Sequence, residues 1–533
     1  MVKEIYTLDG GKISEFERLR LGNFDFLSCR NDESENGINN KEEMMNILEN
    51  IHLSYLLAGS NVITTNTFQV NLYSLREKNM NIEQGERIIN TYIDIAYNAM
   101  EKFQRIKKRD DFALLQSEKR ESIYNHLEYF QKVRSKIGIV HPNDSVNVKD
   151  YVDSFDLWNV TTKKGMGGRN EKDYIRRCKN YYVAFSNGSY SSAFCDFSEY
   201  SGVMHKGGGE EEEEEEGRKT TEWKTPSKKN TIRRKHFDIK INTDIGRWFT
   251  PVCHNKQHDV ISMVPVNRTE IKNATTMDSF LNRKLFNYGL EYYIDVSDEE
   301  IISNCKFKLG SFSRNRDKVE LFSLVTCSNI REVFTFYNLI KYYGGIFQNN
   351  VVINFYCNSN KYIGCSGYSF FDVVLILLYL DSFNKYIKAI GVNCVNIDYV
   401  HDLFFPIKKF VSSYYNIRRD TYKSENVEIN TFVNTLLNNL KKNRCIDDVH
   451  FFASPNKSLK QVSYDSSKNH INFETLHEPH KHVYNYVDSW LDLGLSGFGG
   501  CCYYNPYDIS LLDYKLGCRT IGRTGRDAVR LQK

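Results

Sequence analysis

Apolar and polar positions along this chain follow two alternating periods. Short runs dominated by apolar residues, such as Ile5-Tyr6-Thr7-Leu8, Val62-Ile63-Thr64 and Val351–Phe355, end in polar or small residues. Runs of that length between turn signals read as strands buried on both faces. Residues 42–57 instead carry Met45, Ile47, Leu48, Ile51, Leu53, Tyr55 and Leu56 at helical spacing, and Ala58-Gly59 stops the helix. Further strands are predicted over Tyr181–Phe185, Val319–Leu324, Ile387–Val392, Val449–Ala453 and the stretch running into Cys501-Cys502. Further helices are predicted over Ile82–Phe103, Asn329–Tyr343, Phe370–Leu380, Val483–Leu493 and Pro506–Leu512. Eight strands, each followed by a helix or an insertion, predict an α/β fold, a (β/α)8 TIM barrel. Its site then lies at the C-terminal ends of the strands.

Such a barrel needs ~250 residues, and the chain has 533. The surplus is expected as insertions at about 106–179, 207–272, 290–317 and 408–445 within one barrel domain of residues 1–512. A basic tail, 513–533, follows. The second insertion holds Gly207-Gly208-Gly209, seven glutamates (Glu210–Glu216) and then a basic stretch that includes Arg218, Lys219, Arg233, Arg234 and Lys235. Blocks of like charge repel and stay solvated.

The formal net charge of +4 is too small to imply a nucleic-acid partner. No apolar run is long enough to span a bilayer, and Met1-Val2-Lys3-Glu4-Ile5 opens no signal-peptide core. The 13 cysteines are odd in number and irregularly spaced. That pattern points to a reducing, cytoplasmic setting, with a few cysteines in metal or catalytic use. Cys253, His254 and His258 offer three metal donors without a fourth.

Cys394 follows the sixth predicted strand, and Cys501-Cys502 end the eighth. In a parallel barrel both ends open on the same face. Neighbouring residues of a strand point to opposite faces, so two vicinal thiols reach one point only where the strand bends or ends. Gly499 and Gly500 supply that freedom. A vicinal pair alone reads equally well as two small buried side chains. The third cysteine on the same face makes Cys394, Cys501 and Cys502 candidate ligands of a Zn²⁺ ion with one position open.

Several blocks resemble the homocysteine S-methyltransferase family. They are Leu8-Asp9-Gly10-Gly11, His52 with Ala58-Gly59, Thr64-Thr65-Asn66-Thr67-Phe68-Gln69, Ser186-Asn187-Gly188-Ser189-Tyr190, Gly391-Val392-Asn393-Cys394 and Gly499-Gly500-Cys501-Cys502. The resemblance runs in blocks from residue 5 to about residue 512. It implies a zinc-dependent methyltransferase of methionine biosynthesis. Homocysteine would bind through its sulfur at the open zinc position, and an onium donor would supply the methyl group. S-methylmethionine and S-adenosylmethionine are favoured donors, and betaine also fits an anionic pocket. The substrate-binding residues implied are Asp9, Gly10, Gly11, Thr326 and Asn456.

The chain departs from the family in three places. Ser189 stands where Pro is usual, and Ser454 where the family has Tyr before Pro-Asn. Val325 stands where the family has a Glu that binds the substrate's amino group. Losing such a charge-assisted hydrogen bond costs ~1.5–3 kcal/mol. Asp9 could suffice, another acid such as Glu320 or Glu332 could take over, or the substrate could be a different thiol or selenol. A further alternative is a non-catalytic, zinc-stabilised barrel acting as an interaction protein.

Overall fold

The computed structural model describes residues 4–12, 24–25, 30–31, 41–108, 180–193, 200, 298–364, 368–382, 384–416, 448–457, 460–465, 470–475, 482–513 and 515–516. Eight strands form one parallel sheet. They are β1 (Tyr6–Thr7), β2 (Val62–Thr64), β3 (Tyr182–Gly188), β4 (Leu321–Cys327), β5 (Val351–Phe355), β6 (Ile387–Asn393), β7 (His450–Ser454) and β8 (Gly497–Phe498). Each neighbours the next in sequence, and β1 pairs with β8. A parallel bridge from Leu8 to Val62 joins the two remaining edges. Two bonds reinforce it: Asn61 N–H to the Thr7 carbonyl (2.8 Å) and Asp9 N–H to the Val62 carbonyl (3.1 Å). The sheet is therefore a closed (β/α)8 barrel, as the strand count predicts.

The helices outside it are α1 (Lys41–Leu57), α2 (Leu72–Glu77), α3 (Ile82–Lys108), α4 (Asp298–Arg314), α5 (Ile330–Tyr343), α6 (Phe370–Asp381), α7 (Tyr399–Asn416) and α8 (Val487–Asp492). Residues 506–513 are helical after β8. Among the described residues no helix is long and apolar enough to cross a membrane.

The stretch 290–317, expected as an insertion, instead contains α4. Ile301, Cys305, Leu309 and Phe312 of α4 are buried. The Phe312 ring packs on Phe185 of β3 and Phe322 of β4, at centroid distances of 6.1 and 5.2 Å. α4 is thus the barrel helix that precedes β4, and its many charged positions masked its apolar stripe. Similarly, α7 runs through residues 408–416 of the fourth expected insertion. Residues 109–179, the Glu-rich and basic stretches, the Cys253-His254-His258 group and 517–533 lie outside the described residues.

Strand residues alternate between two environments. Outward positions such as Phe322, Leu324, Ile353 and Phe451 join the helices in one large core. Inward positions change character along the barrel axis. The lower layer is apolar: Tyr6, Val62, Ala184, Leu321, Val352, Ala389 and Phe452 pack together. Two residues further along, the same strands present Thr64, Ser186, Ser323, Asn354 and Ser454 to a cleft. A dry floor beneath a polar upper layer fixes the cleft at the C-terminal face. The polar layer also explains why β3 and β4 run three residues past their expected ends: Ser186-Asn187-Gly188 and Val325 stay paired because their neighbours are strands, not water.

Candidate metal centre and substrate cleft

Cys394 follows β6, and Cys501 and Cys502 follow β8. Their sulfur atoms all lie within 4.8 Å of one another, the group among the described residues that could hold a metal ion. The Cys394 and Cys501 sulfurs are close enough to pair on oxidation, with Cα atoms 5.4 Å apart. The Cys502 sulfur lies beside them. Metal ligation needs thiolates, so the paired and ligating forms are two redox states of the same sulfurs. Three soft donors, with no fourth protein ligand among the described residues, suit Zn²⁺ with one position left open.

The two cysteine loops are tied together through the loop after β7. Cys394 N–H donates to the Ser454 carbonyl (3.0 Å), and Cys501 N–H to the Pro455 carbonyl (2.9 Å). Asn456 donates from its amide nitrogen to the Cys394 carbonyl (2.9 Å) and accepts from Cys502 N–H (3.1 Å). Gly500 N–H reaches the Asp9 carbonyl (3.3 Å), which adds the β1 loop. A Cβ at Gly500 would drive into the Tyr504 ring, and one at Gly10 into the Tyr504 carbonyl. The two positions therefore allow the close approach of the β1 and β8 loops.

Beneath the sulfurs lies Asn393, which the sequence reading quoted but gave no role. Its side-chain oxygen accepts from Thr326 N–H (2.7 Å), and its amide nitrogen donates to Thr326 Oγ1 (2.8 Å). The same nitrogen lies 3.4 Å from Cys394 Sγ and 3.9 Å from Cys501 Sγ, and Thr326 Oγ1 is 3.8 Å from Cys394 Sγ. Thr326 and Cys394 both hold left-handed backbone, each with φ of 57°, which non-glycine residues adopt only when their surroundings impose it. Donors aimed at ligand sulfurs orient them and tune their basicity, and removing such a partner costs about 10–100-fold in metal affinity. Asn393→Ala is accordingly expected to weaken zinc binding by about that factor, measured by competition with a chromophoric chelator.

An open cleft lies beside the cysteines, lined by Asp9, Gly10, Thr64, Ser186, Ser323, Val325, Asn354, Asn393, Ser454, Gly500 and Cys501 among others. Of the residues expected to bind substrate, Asp9 and Gly10 reach it. Gly11, Thr326 and Asn456 are not in its wall. Gly11 N–H donates to the Tyr504 carbonyl (3.2 Å), Thr326 turns toward Cys394, and Asn456 braces the cysteine loops. These three support the site from behind.

Asp9 is the carboxylate in the cleft wall, and it is already engaged. Lys12 Nζ donates to Asp9 Oδ2 (2.6 Å) and to Thr64 Oγ1 (2.5 Å), while Thr64 N–H donates to Asp9 Oδ2 (2.7 Å). His52 lies buried nearby. Burial, and secondly the Lys12 charge, push its imidazole well below the ordinary value, so it packs as a neutral ring. The sequence reading passed over Lys12; its place three residues after Asp9 was the available signal.

Neither acid offered as a replacement for the missing Glu reaches the cleft. Glu320 Oε2 accepts from Val183 N–H (2.7 Å) near the start of β3. Glu332 Oε1 accepts from Tyr190 N–H (2.8 Å) and is buried behind the barrel, within electrostatic reach of Lys308.

The family model for homocysteine S-methyltransferases matches residues 6–207 and 292–516. The match pauses across the stretch that carries the seven glutamates. Among solved structures, the homocysteine methyltransferase MmuM from Escherichia coli aligns in its metallated form over 96% of both chains, at 12% identity and a TM-score of 0.46. Its oxidized form aligns over 96% of both chains, at 12% identity and a TM-score of 0.45. No curated protein matches the chain.

Proposed function

We propose that this chain, which belongs to the homocysteine S-methyltransferase family, methylates homocysteine from an onium donor with the help of a zinc ion held by Cys394, Cys501 and Cys502. Family membership makes it a methyltransferase that acts on homocysteine. The zinc and the donor class are this reading's additions. The observation that carries them is the convergence of three cysteine sulfurs, without a fourth protein ligand among the described residues, on the rim of the cleft.

The donor set fits zinc in softness and number. Bound there, zinc would supply the Lewis acidity that keeps a substrate thiol, of ordinary pKa ~8.5, deprotonated at neutral pH. The chain's own residues do the rest. Asn393 and Thr326 orient the Cys394 and Cys501 sulfurs. The apolar lower layer of the barrel keeps water from beneath the reacting sulfur, which strengthens local electrostatics. Three thiolates give the rim a negative charge that favours a sulfonium or quaternary ammonium donor over a neutral one. Methyl transfer forms a carbon–sulfur bond to the homocysteine thiolate and breaks the bond from the methyl carbon to the donor's onium centre. The donor leaves with the bonding pair as a neutral thioether or amine.

Supplying S-methylmethionine, S-adenosylmethionine and betaine in turn, with methionine as the readout, identifies the donor. Methionine from none of them would overturn the onium reading. Because the same sulfurs pair or ligate, stoichiometric zinc uptake is expected only after reduction. An oxidant should abolish uptake and a thiol reductant restore it, as followed by metal analysis and free-thiol titration. Such a dependence would support a reducing compartment such as the cytoplasm for the working protein.

A further inference from the structure

The charges in the cleft wall bear on which thiols enter. Two positions decide the charge met by a substrate's α-amino group. At the first, Asp9 faces the cleft but is neutralised by Lys12, and both side chains are buried (6% and 7% exposed). Thr64 completes the arrangement by accepting from Lys12 and donating to Asp9 (3.1 and 3.2 Å). At the second, the end of β4, the wall is Val325. No other carboxylate belongs to the cleft wall among the described residues. An incoming ammonium therefore meets a carboxylate already paired with a buried lysine outside the cleft wall, and a hydrocarbon where a second acid would help.

We propose that Lys12 is a specificity-determining residue: by neutralising Asp9 from within the chain, it makes the cleft take thiol carboxylates whether or not they carry a free α-ammonium group. The inference rests on the methyltransferase reading and deepens it. Homocysteine remains a substrate, but its amino group is not the handle. The corresponding des-amino thiol, 4-mercaptobutyrate, and amino-blocked homocysteine belong to the same accepted class.

The test compares homocysteine with 4-mercaptobutyrate on the zinc-loaded full chain, with the donor found active. In parallel, calorimetry measures binding of their methylated forms, methionine and 4-(methylthio)butyrate, to metal-free reduced protein. In a site built around the ammonium, the des-amino partner is poorer by about 10- to 150-fold. Here the two are expected to agree within about 5-fold in kcat/KM and in affinity. Lys12→Met frees Asp9 and should shift preference toward the amino-bearing partner by about 10-fold or more. Val325→Glu should shift it the same way without disturbing Asp9, so the test survives if the first variant folds poorly. A wild-type preference for the amino-bearing partner of ten-fold or more overturns the proposal, as does failure of both methylated compounds to bind. If neither thiol turns over while the two thioethers bind equally and Val325→Glu separates them, the methyltransferase reading fails and this one stands.

Discussion

Cys501→Ala is expected to abolish stoichiometric zinc binding and to lower methionine formation by at least about 10³-fold, since a metal's charge stabilisation and thiol activation are worth several kcal/mol. The fold should survive. Cys501 is only partly buried and faces the cleft, whereas its loop is held by main-chain bonds that alanine keeps, such as Cys501 N–H to the Pro455 carbonyl. Two remaining cysteines leave an incomplete set for a stable zinc site. Metal analysis, circular dichroism and turnover on one preparation separate loss of the ion from loss of the fold. Wild-type turnover in the variant would remove zinc from the reaction.

Lys308→Met is expected to destabilise the protein by about 2 kcal/mol at pH 6, and by more as pH rises. Lys308, on α4, is fully buried and donates to the Thr67 carbonyl (2.7 Å). Burial pushes its ammonium down to about 7, against the opposing pull of Glu332. Burial likewise pushes Glu332 up to about 8, against the Tyr190 N–H and Lys308. The two steps belong to the pair.

The sign of the pH dependence follows from proton counts. Between the ordinary carboxyl value of 4.5 and pH 7 the folded wild type binds one proton more than the unfolded chain, so stability falls with pH. Above pH 8 the folded pair has lost both protons while unfolded lysine, with its ordinary value of 10.5, keeps one, so stability rises again. The variant has only Glu332, held above 8 without its cation, and loses stability steadily. The gap between the two proteins is therefore flat below about pH 7 and widens above it. Urea unfolding at pH 6, 7.5 and 9 measures this. A gap independent of pH would mean that Lys308 keeps its ordinary ammonium value in the fold.

The barrel was legible in the sequence because its strands are short apolar runs punctuated by turn residues. The three cysteines were legible because they follow strands that must open on one face. α4 was hidden because its outer face is charged, so composition resembled an insertion. The backing residues were hidden for a different reason. Asn393, Thr326 and Asn456 act through side-chain contacts to segments 46 or more residues away, and no local period encodes such contacts. Lys12 escaped because a lysine beside a turn ordinarily reads as solvated. Only closure of the barrel, which brings Thr64 against the β1 loop, buries it on Asp9.

The central claim is that Cys394, Cys501 and Cys502 hold a zinc ion whose remaining position takes the substrate's sulfur. X-ray absorption at the zinc edge, on reduced protein loaded with one equivalent of zinc, tests it most directly. The account predicts three sulfur neighbours and one lighter atom without substrate, and four sulfurs once homocysteine is added. Four protein ligands from the outset, or a sulfur count unchanged by homocysteine, would contradict it.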